Sequence, residues 1–232
     1  MGEWSEGLTK QLAYIWGGGA QGRTVLDIFR AAGFSRIAFI DSDRSLRGTK
    51  INGVEVVGDL IHAVHAVHES DKNGCGVVIA LGRPELRQKL AGQVSQSGLP
   101  FIGALHPLAF VAASALIGEG NMIAAQAVIN SNASLGNHII VNTAAVIEHD
   151  DLIGDFATIC PGAQIGGRVT VGKGAFIGTG AIILPRVKIG EGAVVGAGSL
   201  VTRDVPARVL VYGSPARVIS AIDSDFDFGR LL

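Results

Sequence analysis

From Val111 to Val201 every sixth residue is aliphatic, and no insertion breaks the count: Val111, Ile117, Ile123, Ile129, Leu135, Val141, Ile147, Ile153, Ile159, Ile165, Val171, Ile177, Ile183, Ile189, Val195 and Val201. The next residue is often glycine, as at Gly118, Gly136, Gly154 and Gly166, and the residue four places on is mostly alanine, as at Ala127, Ala133, Ala145 and Ala157. A helix needs apolar residues about every 3.6 positions and a half-buried strand every second one, so neither fits this period. Short strands joined by tight corners do fit, each turning one aliphatic side chain inward. Three hexads close one triangular coil, and coils stack at the inter-strand spacing of about 4.8 Å. The expected fold of this half is a left-handed parallel β-helix.

Composition then falls into place. Of the 33 glycines, 15 fall between Gly118 and Gly198 at coil corners, so the glycine content does not signal low complexity. A formal net charge of -1 with 17% charged residues gives no reason to expect nucleic acid or an anionic membrane as partner. Cys75 and Cys160 form no framework spacing, which suits a reducing compartment and a cytoplasmic location. No apolar run approaches the roughly 18 residues of a membrane span. Met1 to Gln11 carries Glu3 and Glu6 and has no apolar core, so it does not read as a signal peptide.

The residues before the repeats alternate differently. Leu12 to Trp16 reads as a buried strand, and it enters the glycine-rich run from Gly17 to Gly22. A helix is expected over Arg23 to Ala32 with Gly33 closing it, then a strand from Arg36 to Ile40 ending at Asp41. Asn52-Gly53 marks a hairpin, Leu60 to His68 a helix, Val77 to Leu81 a third strand and Pro84 to Ser97 a third helix. Alternating strands and helices imply a parallel sheet, an α/β Rossmann-like half domain. Gly17, Gly19 and Gly22 match G-x-G-x-x-G, with Asp41 beyond, a pattern that lets backbone approach a phosphate at a helix N-terminus. A dinucleotide needs two such halves, so one mononucleotide is the expected ligand, a tight structural turn being the other reading.

Six histidines are candidates for chemistry. His62, His65 and His68 recur along one helix and read as its solvated edge; His106 precedes Pro107 at the junction; His138 falls at a coil corner. His149 differs. It lies two residues past the inward Ile147, so it points outward, between Glu148 and Asp150. One coil above it the same column carries Gly167, next to Gly166, leaving a notch of bare backbone. An imidazole beside a carboxylate under such a notch suits a general base next to an acyl carrier, although an ordinary surface histidine gives the same pattern.

The glycine-rich loop, then "FID", "ALGRPELRQKL", "LHPLA", "VNTAAVIEHDDLIGDFATICPGAQIGG" and "VYGSPARVI", in this order, resemble the bacterial nucleotide-sugar N-acetyltransferases of the sialic-acid-O-acetyltransferase-like (NeuD/PglD) family, over about Leu12 to Ile219. The resemblance implies acetyl-CoA as co-substrate, a nucleotide-linked amino sugar as acceptor, no metal, and a homotrimer with sites between neighbouring β-helices. It implies His149 as the base, Asp150 as the acid that raises its basicity, and Asn142 and Glu148 as lining residues. Gly19, Ala20, Gln21, Asp41, Ser42 and Gly82 match its nucleotide-sugar contacts; Thr158, Gly167, Thr179 and Ala197 match positions along the acetyl-CoA groove. Two positions depart: the family usually carries histidine where this chain has Gln21 and Thr158.

The domains expected are residues 1–105, Rossmann-like and nucleotide-sugar-binding; residues 106–219, the β-helix acyltransferase domain; and a tail, 220–232. The function expected is acetyl transfer from acetyl-CoA to a sugar amine by direct attack. Its rivals are a sugar O-acetyltransferase on the same scaffold, a non-catalytic nucleotide-binding assembly module, and a zinc hydratase, which would need three converging histidines.

Overall fold

The computed structural model describes residues 12–69, 74–223 and 226, with no description of the side chains of 67–69. The expectations for Met1 to Gln11, for the side chain of His68 and for most of the tail therefore lie outside the described residues. By their internal contacts the residues divide into two units: one takes the chain to Leu81 and Leu86–Pro107, the other Gly82–Glu85 and the chain from Leu108.

In the first unit a five-stranded sheet runs in the order β3-β4-β2-β1-β5, with β1 Leu12–Trp16, β2 Arg36–Ile40, β3 Lys50–Ile51, β4 Val54–Gly58 and β5 Cys75–Ile79. All its pairings are parallel except β3 with β4, a hairpin turned by Asn52 and Gly53, both at positive φ. The chain steps from β1 outward to β2 and later returns to β5 on the other side, so a topological switch point lies between β1 and β5, where sheets of this kind bind ligands. The strand expected over Val77 to Leu81 is instead Cys75–Ile79, buried along its whole length. Apolar residues continue past Ile79, but Ala80 donates its last bond to Trp16, where β1 also ends.

Helices α1 Ala20–Ala31, α2 Leu60–Glu69 and α3 Pro84–Ser97 alternate with these strands. Helix α1 starts inside the glycine-rich run, three residues before the expected Arg23, because Gly19 already serves as its N-cap. Val25, Leu26, Ile28 and Phe29 form its buried face, and Gly33 at φ +86 turns the chain away. No helix among the described residues is long and apolar enough to cross a membrane.

The second unit is the parallel β-helix that the period of six requires. Two-residue strands stack on partners eighteen residues away on three faces. The first face holds Val128–Ile129, Val146–Ile147 and Gln164–Ile165, the second Ser134–Leu135 and Leu152–Ile153, the third Ile140–Val141 and Thr158–Ile159, each with its counterparts in other coils. From Ile123 onward every member of the aliphatic series is buried, and with the alanines four places on it makes one continuous core. One periodic feature was not read from the sequence. The third residue of each corner, from Gly120 to Gly198, has φ between 55 and 67°, and Gln126, Asn132, His138, Ala144, Asp150, Phe156, Arg168 and Arg186 adopt it without being glycine. Each non-glycine there costs about 1 kcal/mol, and the coil above and below fixes it.

The last coil is shorter. Ile189 pairs with Val205 and Val195 with Val211, two residues fewer than the regular step, and a hairpin of Val209–Gly213 and Ala216–Ala221 ends the stack. Outward residues of the third face (Met122, Ile140, Thr158, Phe176, Val194) are buried, Phe176 and Val194 together with Cys160 beneath Ile222 and Phe226. Outward residues of the other two faces are half-buried or exposed, with Phe110, Leu116, Leu152 and Ile182 exposed.

Candidate active site

Corner 148–151 joins the first face to the second. The left-handed turn at Asp150 (φ 60°) folds its carboxylate back against the preceding residue, so that Asp150 Oδ2 lies 2.9 Å from His149 Nδ1. The His149 ring, ahead of Asn132, holds the Asp150 carboxyl below the usual carboxylate range. An ionised carboxylate only accepts, so Nδ1 carries the proton and Nε2 presents a lone pair to the pocket. Asn132, one coil below, donates from Nδ2 to Asp150 Oδ1 at 3.3 Å, and Arg168, one coil above, brings Nε to 3.5 Å from Oδ2. His149 itself is half exposed.

Above the ring is the glycine notch. A Cβ built on Gly167 would sit 2.6 Å from His149 Nε2 and 2.8 Å from Cε1, so the imidazole fills the space that a side chain there would take. Among the described residues the Gly167 N–H has no acceptor, whereas the Arg168 N–H beside it is tied to His149 O. His149, Gly167, Arg168, Pro185 and Arg186 line a hollow of about 350 Å³. Glu148 caps the corner, its Oε2 accepting from the His149 N–H at 3.3 Å. Arg168, Arg186 and Asn132 escaped the sequence reading, yet each lies in the column of Asp150, at steps of eighteen residues.

Asp151 was also missed. It occupies the inward position of the hexad, which reads mostly alanine along the series, and it is wholly buried. Burial pushes its carboxyl up to about 7 against the two backbone N–H groups that bond it, from Val169 at 2.8 Å and Glu148 at 3.0 Å.

The remaining β-helix candidates do not meet His149 within one chain. Asn142, Thr179 and Ala197 lie on the corner between the third and first faces, with Thr179 bonded through its carbonyl to Gly198, and Thr158 is buried on the third face. The whole width of the first face separates that corner from His149. Among the described residues no group of three His, Cys, Asp or Glu side chains is arranged to hold a metal ion.

In the first unit the glycine loop closes on β1. Gly22 has no room for a Cβ because the Gly17 carbonyl lies against it, which fixes helix to loop. Gly19 faces open space, and the N-terminus of α1 carries neither a side-chain cap nor an acidic residue in its first turn. Such an end, with Ala20 and Gln21 in its first turn, favours an anion. Asp41 holds the loop: Oδ2 accepts from the Gly18 N–H at 2.8 Å and Oδ1 from the Asp43 N–H at 2.9 Å. Ser42 beside it is exposed. Gly82 groups with the second unit, not with this loop. A cavity of about 800 Å³ opens past Asp41, lined by Arg44, Arg47, His62 and His65 among others. His62 and His65 are exposed on the helix edge as expected, and with the two arginines they line a hollow large enough for a nucleotide.

An α/β half domain with a glycine loop, joined to a hexapeptide β-helix whose corner carries a histidine–carboxylate pair, defines a two-domain hexapeptide acyltransferase. Residues 13–94 match the PglD N-terminal domain, and 168–203 match the bacterial transferase hexapeptide (six repeats). The chain is 36% identical to GDP-perosamine N-acetyltransferase from Caulobacter crescentus, solved as a histidine mutant with CoA and GDP-perosamine, over 90% of this chain and 97% of that one (TM-score 0.83). It is 30% identical to the acetyltransferase domain of PglB from Neisseria gonorrhoeae, solved with acetyl coenzyme A, over 90% of this chain and 100% of that one (TM-score 0.83). WeeI from Acinetobacter baumannii is 29% identical over the same shares, with a TM-score of 0.81. No curated protein matches the chain. The chain belongs to the NeuD/PglD-like family of hexapeptide acyltransferases.

Proposed function

We propose that this chain transfers the acetyl group of acetyl-CoA to the 4-amino group of a nucleotide-linked amino sugar, with His149 as general base. The observation that carries the reading is the 2.9 Å contact of His149 Nδ1 with Asp150, which leaves Nε2 facing the notch at Gly167. The neutral amine attacks the thioester carbonyl; Nε2 takes the amine proton; the carbonyl oxygen becomes an oxyanion. The Gly167 N–H, which has no acceptor among the described residues, offers that oxyanion a preorganised donor. The C–S bond then breaks, CoA leaves as thiolate, and the proton on His149 is available to it. Asp150 stabilises the transient imidazolium and holds the ring in place.

The related enzyme that carries CoA and GDP-perosamine supports this substrate class. In this chain the N-terminus of α1, with Gly19, Ala20 and Gln21, would take the phosphates, and the cavity past Asp41 the rest of the nucleotide. Asn142, Thr179 and Ala197 reach acetyl-CoA beside His149 only if a neighbouring chain supplies them, so the reading includes a homotrimer. Exposed Phe110, Leu116, Leu152 and Ile182 on the two faces that flank the His149 corner support that assembly. The expected location is cytoplasmic. Thiol release from acetyl-CoA, followed with GDP-, UDP- and dTDP-linked 4-amino sugars and their 4-hydroxy counterparts, tests the reading. Release with an amino sugar alone is expected; release with hydroxy sugars alone would make the chain an O-acetyltransferase.

A further inference from the structure

At most corners of the β-helix the first corner carbonyl accepts from the N–H three residues on: Asn130 from Ala133, Asn142 from Ala145, Gly154 from Ala157, Gly172 from Ala175. Two inward side chains replace that bond, Asn121 and Asp151, which occupy equivalent columns. Asn121 Oδ1 accepts from Ile139 N–H at 2.7 Å, and its Nδ2 donates to two carbonyls, Gly118 at 3.0 Å and Gly136 at 2.9 Å. Asp151 makes the same upward bond, Oδ1 accepting from Val169 N–H at 2.8 Å, while Oδ2 accepts from Glu148 N–H at 3.0 Å. The carbonyls that correspond to the two satisfied by Asn121 are those of Glu148 and Gly166. Among the described residues neither receives a hydrogen bond. A carboxylate cannot satisfy them. A carboxylic acid can, with its single proton.

On the reading of His149 as base and Gly167 as oxyanion donor, we infer that Asp151 acts as a neutral acid that donates to the Gly166 carbonyl and so positions the Gly167 N–H. The Gly166 carbonyl and the Gly167 N–H belong to one planar peptide and point opposite ways, so a donor that holds the carbonyl inward aims the N–H outward at the pocket. Polarising the carbonyl also strengthens the N–H as a donor. Asp151 touches neither substrate; it is a positioning residue. Burial that raises its carboxyl to about 7 is consistent with a proton held there. The groups that bear on its ionisation are Glu148 and His149 on its own corner, with Asp150 and Arg168 outside them; corner 130–133 below carries no charge. Above neutrality the ionised carboxyl faces two carbonyl oxygens, and the Gly166–Gly167 peptide loses its anchor.

The test compares the full-length protein with Asp151→Asn and Asp151→Ala. Carbon-13 NMR of aspartate-labelled protein should show one carboxyl that titrates near neutral pH and is absent from both variants, a readout that needs no turnover. In acetyl transfer, wild-type kcat should fall as pH rises above about 7. Asp151→Asn, a permanent donor of the kind that Asn121 already provides, should keep wild-type kcat at pH 6 to within about twofold and lose that alkaline fall. Asp151→Ala should fold, since alanine is the ordinary residue at this position of the hexad, but lower kcat about tenfold with KM unchanged, less than the roughly 10²–10³ of losing an oxyanion donor outright. A carboxyl spectrum with no Asp151-dependent titration near neutrality overturns the inference, and so does an alkaline fall that persists in Asp151→Asn. Absence of acetyl transfer in every form would instead refute the assignment of function, with the titration still readable.

Discussion

Replacing Gly167 with alanine probes the geometry of the site with a single methyl group. Its Cβ would lie 2.6 Å from His149 Nε2, 2.8 Å from Cε1 and 3.0 Å from Cδ2, where ordinary contact begins at 3.4 Å. The ring must therefore retreat by about 1 Å, and it is free to do so, because the His149 side chain is half exposed. A misplacement of about 1 Å at a reacting group costs roughly 10²-fold in rate, or about 2.7 kcal/mol of barrier. The fold should not suffer. Gly167 does not sit at positive φ, so alanine fits the backbone and should leave stability unchanged or raise it by about 0.4–1 kcal/mol. Steady-state kinetics and thermal unfolding on the same preparations separate the two effects: kcat down about 10²-fold, Tm level or higher. A variant with native kcat would show that the His149–Gly167 gap is not where the amine and the thioester meet.

Three further outcomes follow from the same account. Asp150→Asn should lower kcat by less than the roughly 10² at which a positioned base's worth begins, with KM for the nucleotide sugar nearly intact, because the ring keeps an acceptor but its imidazolium loses a charge; steady-state kinetics check this. Light scattering at micromolar concentration should give three times the 23.9 kDa of one chain, and a monomer mass would remove the shared site. Asp151 should also tie stability to pH. Its folded value of about 7 stands above the ordinary 3.8, so the native state holds the proton longer, and its contribution is full below about pH 4 and lost as pH rises to about 7. Urea unfolding across this window should show a loss of up to about 4 kcal/mol in wild type relative to Asp151→Asn, which has no such proton to release.

Much of this site was legible because the fold is periodic. Once the aliphatic series fixes a coil of eighteen residues, Gly167 must lie above His149, and the notch could be placed without coordinates. The same step from Asp150 leads to Asn132, Arg168 and Arg186; those contacts stayed hidden because the count was followed for one column only. Asp151 was visible as a polar break at a hexad position that is mostly alanine, but its burial and the two carbonyls beside it, unbonded among the described residues, depend on turn geometry that residue types do not encode. The left-handed third corner position was obscured by its tolerance of Gln126, Phe156 and Arg186 in place of glycine. In the α/β unit the glycine loop and the alternation of strands with helices could be read, whereas the strand order and the cavity of Arg44, Arg47, His62 and His65 depend on how separate elements pack. Strand β5 began two residues early because its apolar run extends past the point where β1 stops pairing.

The most direct test of the account is the turnover of His149→Ala with acetyl-CoA and whichever nucleotide-linked amino sugar the wild-type chain accepts, with the acetylated product identified by mass. The account predicts a kcat lower by about 10² to 10⁴, the usual worth of a positioned general base, while the KM for the nucleotide sugar stays close to native because the α/β unit is untouched. Near-native turnover in His149→Ala would mean that the amine attacks without His149, and the assignment of the corner at 148–151 as the catalytic centre would be wrong.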